Sequence, residues 1–419
     1  MIKNEYFGEI MKYRKMGSLD WEVSALGLGC MRLPTAEVEG KEKNDNRAKV
    51  DREKSIELIR YAIDNGINYV DTAWPYHNGE SEIILGEALK DGYREKVKLA
   101  TKLPTWDIKE SDDFDTFLEK QLEKLQTEYI DVYLLHALRE PFFKIVKENN
   151  LIEKMEQAKK DGFIKHIGFS FHDSFEVFKE IIDYYDSWNV AQIQYNYFDI
   201  DNQATTKGLK YAADKGIAIV IMEPLQGGKL TREFSDVKKI MEKYHPNTTL
   251  ADVALRFLWN FPEVSVILSG MNAKWQIDEN IQSAEKAEIN GFTKEEFKLT
   301  AELRNAFKDH ILIACSECEY CMPCPNHVNI PRNINILNEF VWWGEDHRDK
   351  YLQRYAKFLK TKEELEEMEE KKHGNASLCI ECGECIEKCP QKINIPDILK
   401  KIDQIFGEGK QLDEVLKDI

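Results

Sequence analysis

The chain has 419 residues, of which 58 are Lys or Arg and 75 are Asp or Glu, so its formal net charge is -17. An acidic balance of this kind argues against a nucleic-acid groove or an anionic membrane surface as the partner. The aliphatic runs are far shorter than a bilayer span and the N-terminus lacks the apolar core of a signal peptide, which predicts a cytoplasmic protein without a membrane segment. The length exceeds one barrel of about 250 residues and therefore predicts two domains.

The predicted elements begin with a hairpin around Tyr13 to Val23, after which short apolar runs alternate with amphipathic stretches eight times. Such alternation is typical of an α/β fold with a parallel sheet, and eight strands predict a closed (β/α)8 TIM barrel. A doubly wound sheet is the competing topology, but its glycine fingerprint breaks off at Arg32. The predicted barrel strands are Leu26–Cys30, Ile67–Val70, Val97–Thr101, Ile130–Leu135, Lys165–Phe169, Val190–Gln194, Ile217–Met222 and Val264–Leu268.

The cysteines are distributed unevenly along the chain. Of the nine, Cys30 is the only one before residue 300, and the other eight lie between Cys315 and Cys389. This asymmetry predicts a barrel domain over residues 1–300 and a second domain over 301–419. Residues 1–11 are expected to be an N-terminal extension of the barrel.

Polar side chains follow three consecutive predicted strands. Asp71 and then Tyr76 follow the second strand, Lys102 follows the third and His136 ends the fourth. Each residue alone is more often a cap or an ion-pair partner, but the C-terminal strand ends of such a barrel meet at one mouth, where its chemistry lies. Reduction of a carbonyl needs a proton donor on oxygen, and Tyr76 is the predicted donor. Lys102 would lower the pKa of that phenol, Asp71 would hold Lys102 charged, and a neutral His136 would align the carbonyl oxygen.

With the spacing Asp-Thr-Ala-x-x-Tyr, this set resembles the catalytic tetrad of the aldo-keto reductase family, over roughly residues 12–290. The resemblance implies a nicotinamide cofactor, NADH or NADPH, and a small carbonyl or alcohol substrate. It also implies that Ser170 and Gln192 contact the carboxamide. The implied contacts to the pyrophosphate and the adenosine are Pro224, Leu225, Gly227, Gly228, Lys274, Glu279 and Asn280.

Two positions depart from the family pattern. Phe171 stands where an Asn usually follows the serine, so one carboxamide contact is lost or replaced. Lys274 is the one cation of the segment 269–276, where a Lys-Ser-x-x-x-x-Arg pattern would neutralise a 2′-phosphate. We therefore expect either that NADH rivals NADPH or that nicotinamide binding is weak.

The C-terminal part contains two cysteine runs, each followed by proline. The second matches the run of bacterial ferredoxins, and the first is one residue shorter before its last cysteine. Structural zinc is the alternative, but zinc sites rarely show four cysteines in such a run before a proline. The long insertion between the runs resembles mainly α-helical ferredoxin-like domains with two [4Fe–4S] clusters. In ferredoxins the last cysteine of a run usually ligates the other cluster, which implies one cluster on Cys315, Cys318, Cys321 and Cys389 and another on Cys379, Cys382, Cys385 and Cys324.

Together these features predict an oxidoreductase for an aldehyde, a ketone or the corresponding alcohol, whose clusters exchange electrons with a ferredoxin-like partner. Nicotinamide moves electrons in pairs and clusters move them singly, and the sequence shows no flavin motif. Either a flavin bound in the barrel mouth or a substrate reduced in two one-electron steps would reconcile the two. The alternative is an ordinary NAD(P)H-dependent carbonyl reductase whose iron–sulfur domain is structural, docking or redox-sensing. A non-catalytic electron-transfer subunit built on a retired barrel is a third hypothesis, against which the retention of all four tetrad residues argues.

Overall fold

The computed structural model describes residues 11–35, 49–315, 321–368, 373–389 and 391–417. These residues form two compact units, one ending at Arg304 and the other beginning at Asn305. Residues 1–10 of the predicted extension lie outside the described residues. No helix in the described ranges has both the length and the apolar character needed to cross a membrane.

The first unit contains a short antiparallel hairpin, formed by β1 and β2, and a closed barrel of eight parallel strands, which confirms the predicted (β/α)8 fold. Each barrel strand pairs with its neighbour along the chain, and the last closes onto the first through the pair Ile267 and Leu26. Every predicted strand is present with ends shifted by a few residues at most. The strands, β1 to β10 in chain order, are Tyr13–Lys15, Glu22–Ser24, Leu26–Gly29, Tyr69–Asp71, Lys98–Leu103, Ile130–Leu138, Ile164–Phe171, Val190–Gln194, Ala218–Met222 and Val264–Ser269.

The hairpin closes the N-terminal end of the barrel. Met16 and Val23 are fully buried in one cluster with the branched side chains that fill the barrel, such as Val132 and Val220. Gly17 has a φ of +55°, and a Cβ there would lie 2.5 Å from the backbone nitrogen of Ala218. Only glycine fits this approach, so the hairpin is seated close against the strand starts. The opposite mouth, at the strand C-termini, is the end at which polar side chains gather.

Helices of the first unit alternate with the strands, as βα repeats require. Local signals set their ends: Asp51 caps the first helix by accepting a hydrogen bond from the backbone N–H of Lys54, and Gly66 follows it with a φ of +95°. The helices, α1 to α11, are Arg52–Asp64, Glu80–Ala88, Asp113–Leu125, Glu140–Glu148, Leu151–Lys160, Phe175–Tyr184, Thr205–Asp214, Ser235–Tyr244, Leu250–Trp259, Lys274–Glu285 and Lys294–Asp309; α11 continues into the second unit.

The second unit is mainly α-helical, as predicted, and has its own apolar core. Both cysteine runs lead into a helix through the same pattern, Cys-Pro-x-x-Val/Ile-Asn-Ile-Pro, and Asn329 caps the first of these helices by accepting a hydrogen bond from the backbone N–H of Arg332. The two cysteine runs are therefore followed by the same local structure, a short loop that leads into a helix. The helices of this unit, α12 to α17, are Ile330–Trp343, Arg348–Phe358, Lys362–Glu366, Glu384–Lys388, Ile395–Phe406 and Leu412–Val415.

Candidate active site

The structure brings the four predicted tetrad residues to the C-terminal mouth of the barrel. Asp71 ends β4, Lys102 lies in β5, and His136 lies in β6, which runs on past it to Leu138. Tyr76 opens a 3-10 turn after β4, and the two residues that follow it have left-handed backbone, with φ values of 51° and 56°. This compact turn places the phenol next to the strand ends rather than out in the loop.

Lys102 is the centre of the set. Its Nζ donates hydrogen bonds to Asp71 Oδ1 at 2.6 Å, to the carbonyl oxygen of Thr72 at 2.7 Å and to Tyr76 Oη at 3.3 Å. All three ammonium protons therefore have acceptors, which fixes the direction of the phenol relative to the ion pair. The ring of His136 stands edge-on to that of Tyr76, with centroids 6.0 Å apart.

Burial and pairing act against each other on the ion pair. Lys102 is 1% exposed and Asp71 is 2% exposed. Burial alone would lower the pKa of Lys102, but Asp71 and Tyr76 outweigh it and raise that pKa above its ordinary value. Burial raises the pKa of Asp71, and the ammonium opposes that rise. The lysine is therefore held protonated, as the sequence predicted.

The pKa of Tyr76 differs from the expectation. Burial raises it above the ordinary value of 10, and the Lys102 ammonium offsets only part of that rise. The lysine therefore lowers the pKa of the phenol, as expected, but desolvation of the phenolate outweighs it, so the net pKa lies above the ordinary value. The phenol keeps its proton over the whole neutral range, which is the form that a proton donor needs.

His136 is neutral in this environment. Burial lowers its pKa well below the ordinary value, and the charges of Lys102 and His172 act in the same direction. Its Nδ1 is buried and has no hydrogen-bond partner among the described residues. Trp106 covers the imidazole at 5.0 Å between ring centroids, so one wall of the mouth is aromatic.

A buried polar network that the sequence analysis did not identify lies behind the tetrad. The Gln121 amide donates to Glu82 Oε1 at 2.6 Å and to the Lys102 carbonyl oxygen at 3.1 Å. Thr101 donates to the same Glu82 oxygen, and Tyr133 donates to Gln121 Oε1. These bonds tie the backbone of Lys102 to α2 and α3. The segment Gly79-Glu-Ser-Glu82 was the part of this network visible in the sequence. The hydrogen-bond partners of Glu82 lie in other elements and could not be inferred from it.

Ser170 and Gln192 are neighbours at the mouth, paired in register between β7 and β8. Ser170 Oγ accepts a hydrogen bond from the backbone N–H of Ala137 at 2.7 Å, which leaves its own proton free to donate. Gln192 Oε1 is buried without a partner in the described structure. One free donor and one free acceptor side by side fit a primary carboxamide, such as that of nicotinamide. Phe171 is fully buried and packs on Phe178, so it supplies no polar contact.

The predicted phosphate and adenosine residues lie in the loop after β9 and in α10, the helix that follows β10. Pro224 and Leu225 follow β9 and lead into a 3-10 turn in which Gly227 and Gly228 have φ values of 66° and 95°. Such a glycine turn lets backbone N–H groups approach a phosphate.

After β10, Asn280 of α10 is buried and donates to Ser269 Oγ at 3.1 Å, whereas Glu279 is partly exposed. The Lys274 ammonium lies over the ring of Tyr61, 5.3 Å from its centroid. The predicted cation of this loop therefore stacks on an aromatic ring of α1.

Five cysteine side chains line one cavity of the second unit: Cys321 and Cys324 of the first run, and Cys379, Cys382 and Cys385 of the second. Burial raises the pKa of Cys385 to about 11, and the thiols of Cys324, Cys379 and Cys382 act in the same direction. Thiolates that share one cavity need positive charge between them, which a bound iron cluster supplies. No three described His, Cys, Asp or Glu side chains stand close enough to hold a single metal ion.

The other predicted ligand set is described in part. Cys315, Cys321 and Cys389 pack against the helical core of the unit. Cys318 lies outside the described residues. Cys30, the one cysteine of the barrel, is fully buried, in keeping with a small core residue.

Comparison with known proteins identifies two families whose models match this chain, and several similar proteins. The model of the aldo/keto reductase family matches residues 25–305, and that of the 4Fe-4S dicluster domain matches residues 314–393. An uncharacterised oxidoreductase of Bacillus subtilis, YqkF, is 30% identical over 69% of this chain and 95% of its own length.

Two further relatives are similar to the barrel. An NADH-specific methylglyoxal reductase of Escherichia coli is 27% identical over 65% of this chain and 93% of its own length. The solved holo structure of aldo-keto reductase AKR11C1 from Bacillus halodurans aligns with a TM-score of 0.57 at 26% identity, over 70% of this chain and 96% of that one. In each relative nearly the full length aligns, and it covers about as much of this chain as the barrel does.

Proposed function

The chain belongs to the aldo/keto reductase family and carries a 4Fe-4S dicluster domain, and from this we propose that its barrel transfers a hydride between a nicotinamide cofactor and an aldehyde or ketone. The observation that supports the proposal most strongly is the buried Lys102 ammonium, hydrogen-bonded at once to Asp71 and to Tyr76. That arrangement presents a neutral phenol, backed by a positive charge, at the mouth of the barrel.

When bound, the nicotinamide supplies the hydride. Ser170 would donate a hydrogen bond to its carboxamide oxygen and Gln192 Oε1 would accept one from its amide nitrogen, which together fix the orientation of the ring. Tyr76 would donate its proton to the carbonyl oxygen, and Lys102 would stabilise the phenolate that remains. Neutral His136 would hold that oxygen in place by hydrogen bonding. In alcohol oxidation the same phenolate would take the proton back.

We propose a small carbonyl compound as the substrate and NADH as a competent donor. Trp106 and Phe142 form an aromatic wall next to His136, which suits a compact organic molecule. The similar Escherichia coli protein is named an NADH-specific methylglyoxal reductase, so methylglyoxal is the first substrate to test. We place the enzyme in the cytoplasm, whose reducing conditions keep cluster thiols free.

For the second unit, we propose two [4Fe–4S] clusters with the crossed ligand sets. The crossed assignment is supported by Cys324, which lines the same cavity as Cys379, Cys382 and Cys385; Cys321 lies at this cavity as well. When bound, the clusters supply single-electron transfer, and we propose a ferredoxin-like protein as the partner that exchanges those electrons. A flavin held by the protein would link single-electron steps to hydride transfer.

The test is anaerobic purification of the full chain, with iron and sulfide analysis, flavin extraction, and stopped-flow mixing with NADH, NADPH or reduced ferredoxin. We expect about eight irons per chain, bleaching of the clusters by at least one donor, and carbonyl reduction that depends on Tyr76. Clusters that bleach with none of the donors, while carbonyl reduction proceeds, would refute the electron exchange and leave the iron–sulfur domain as an accessory. Lack of any carbonyl or alcohol activity with either nicotinamide would refute the role of the barrel.

A further inference from the structure

Arg32 reaches between two loops of the barrel mouth. It ends the 3-10 turn Cys30–Arg32 after β3, and its aliphatic part lies along Gly270, where a Cβ would stand 3.2 Å from Arg32 Cδ. Its guanidinium lies against Gly227, where a Cβ would stand 2.8 Å from Arg32 Nη2. The side chain therefore spans from the loop after β10 to the glycine turn after β9, and both glycines leave room for it.

The guanidinium has no acceptor in the described structure: Arg32 forms neither an ion pair nor a hydrogen bond with those residues. It is nevertheless partly buried. A guanidinium carries five N–H donors in a planar fork, and donors withdrawn from water without acceptors cost free energy. This position is therefore suited to an anion with two oxygens in one plane, such as a phosphate group.

The turn that carries Arg32 is held in place from the tetrad side. His77, next to the catalytic tyrosine, accepts a hydrogen bond at its Nε2 from the backbone N–H of Leu33 at 3.1 Å. Burial lowers the pKa of His77, so the ring stays neutral and able to accept. The arginine is thus presented from a fixed turn, which favours a binding role over that of a mobile surface charge.

We propose that Arg32 binds the diphosphate of the nicotinamide cofactor, together with the backbone of the Gly227–Gly228 turn. The inference rests on the proposed hydride-transfer function. The guanidinium lies at Gly227 and not at the Ser269–Asn280 end, so its ligand is the diphosphate that NADH and NADPH share. Lys274, the cation that the sequence suggested, stacks on Tyr61 instead.

The test is calorimetric titration of the cluster-loaded full chain with NAD⁺, NADP⁺ and ADP-ribose, in the wild type, Arg32→Gln and Arg32→Lys. Arg52→Gln is the matched control, because it removes the same charge from an exposed ion pair with Glu87 on the outer helices. We expect Arg32→Gln to weaken all three ligands by about 10- to 100-fold and by the same factor. Arg32→Lys should lose less, since it keeps the charge but not the fork, and Arg52→Gln should bind like the wild type.

The outcomes separate this inference from the function on which it rests. A loss confined to NADP⁺ would overturn the diphosphate assignment, because Arg32 would then bind the 2′-phosphate. Wild-type affinity in both Arg32 variants would overturn the inference alone. A wild type that binds none of the three ligands would overturn both the inference and the proposed hydride transfer. Melting curves followed by circular dichroism identify any variant whose loss of affinity comes from unfolding. If Arg32→Gln unfolds, the affinity of Arg32→Lys decides whether the inference holds.

Discussion

The barrel mouth and the cysteine cavity position their reactive side chains by different means. In the barrel, Asp71 and Lys102 sit on strands and are hydrogen-bonded to each other and to the backbone. In the second unit, Cys324 and Cys379 lie in loops and line one cavity. The first site is complete before any ligand arrives, whereas the second gathers groups that repel one another once ionised.

This contrast follows from where each fold obtains its rigidity. Barrel strands are fixed by ladders on both sides, so a side chain at a strand end keeps its direction without help from a ligand. The cysteine loops run between short helices, and metal binding there contributes to folding itself. We therefore expect the barrel site to respond to single substitutions through chemistry, and the cysteine site to respond through the loss of its cofactor.

The largest expected effect comes from Lys102→Met. It removes the charge behind the phenol, and we expect the turnover number for carbonyl reduction to fall by about 10³-fold. It also leaves Asp71 buried without its partner, which should lower the free energy of unfolding by about 3–5 kcal/mol. Steady-state kinetics and denaturant unfolding check the two parts.

The double variant Asp71→Asn/Lys102→Met separates chemistry from stability. With both charges removed, most of the stability should return while the activity stays low. If the double variant recovers activity along with stability, the ammonium acts through folding alone and the barrel mouth is not a preorganised catalytic site.

A smaller effect, a halving of the iron content, is expected from Cys324→Ser. Under the crossed assignment it removes a ligand from the cluster of the second run, so iron should fall from about eight to about four per chain. Cys379→Ser should lose the same cluster, and the two substitutions together should lose no more iron than either alone. Cys30→Ala, which changes a buried cysteine of the barrel, should leave the iron content unchanged.

The double cysteine variant is the decisive arm of that experiment. If Cys324 belongs to the cluster of its own run, Cys324→Ser and Cys379→Ser remove different clusters. Iron in the double variant would then fall to nearly zero, which contradicts the crossed assignment.

The smallest expected effect is that of pH on catalysis, because we expect kcat/KM to be independent of pH near neutrality. The pKa of His136 is lowered well below about 6.5 and that of Tyr76 is raised above about 10, so neither should titrate between about pH 6.5 and 9. A plot of kcat/KM against pH should be flat across that range. Because unfolded His136 takes up a proton below about pH 6.5 and folded His136 does so only at a lower pH, the free energy of unfolding should begin to fall below about pH 6.5 and continue to fall until the pH passes the folded pKa.

His136→Gln provides the comparison for the pH experiment. The amide can still hydrogen-bond a carbonyl oxygen but does not titrate, so the shape of the profile should be unchanged even if the rate falls. An acid limb near pH 6.5 that disappears in His136→Gln would show that the imidazole is charged in the working enzyme, which contradicts the neutral form that burial imposes on it.

Much of the barrel could be predicted from sequence because its signals are local. Buried runs such as Val190–Gln194 mark strands with little ambiguity, and the tetrad follows from where those strands end. The extension of β6 beyond His136 to Leu138 was not predicted, since that segment has no alternation to mark it. The tight turn after Tyr76 was also not predicted, because His77 and Asn78 adopt left-handed backbone, which is uncommon for residues other than glycine.

Properties that depend on distant parts of the chain could not be predicted. The pKa of Tyr76 depends on how far its phenol is withdrawn from water, which no spacing of residues reveals. Arg32 reaches Gly227 and Gly270 only because the closed barrel brings the loop after β3 beside the loops after β9 and β10. The repeated Cys-Pro-x-x-Val/Ile-Asn-Ile-Pro pattern, by contrast, was available in the sequence and would have predicted helices that begin at Ile330 and Ile395.

The central claim, that Tyr76 is the proton donor of a nicotinamide-dependent carbonyl reduction, is tested most directly by single-turnover oxidation of NADH with methylglyoxal. The measurement compares the wild type with Tyr76→Phe and with Tyr184→Phe, a surface tyrosine that is 49% exposed. We predict a fall of about 10²- to 10³-fold in Tyr76→Phe, with NADH affinity unchanged and no change in Tyr184→Phe. Wild-type rates in Tyr76→Phe would contradict this role of the phenol and require another proton donor at the mouth of the barrel.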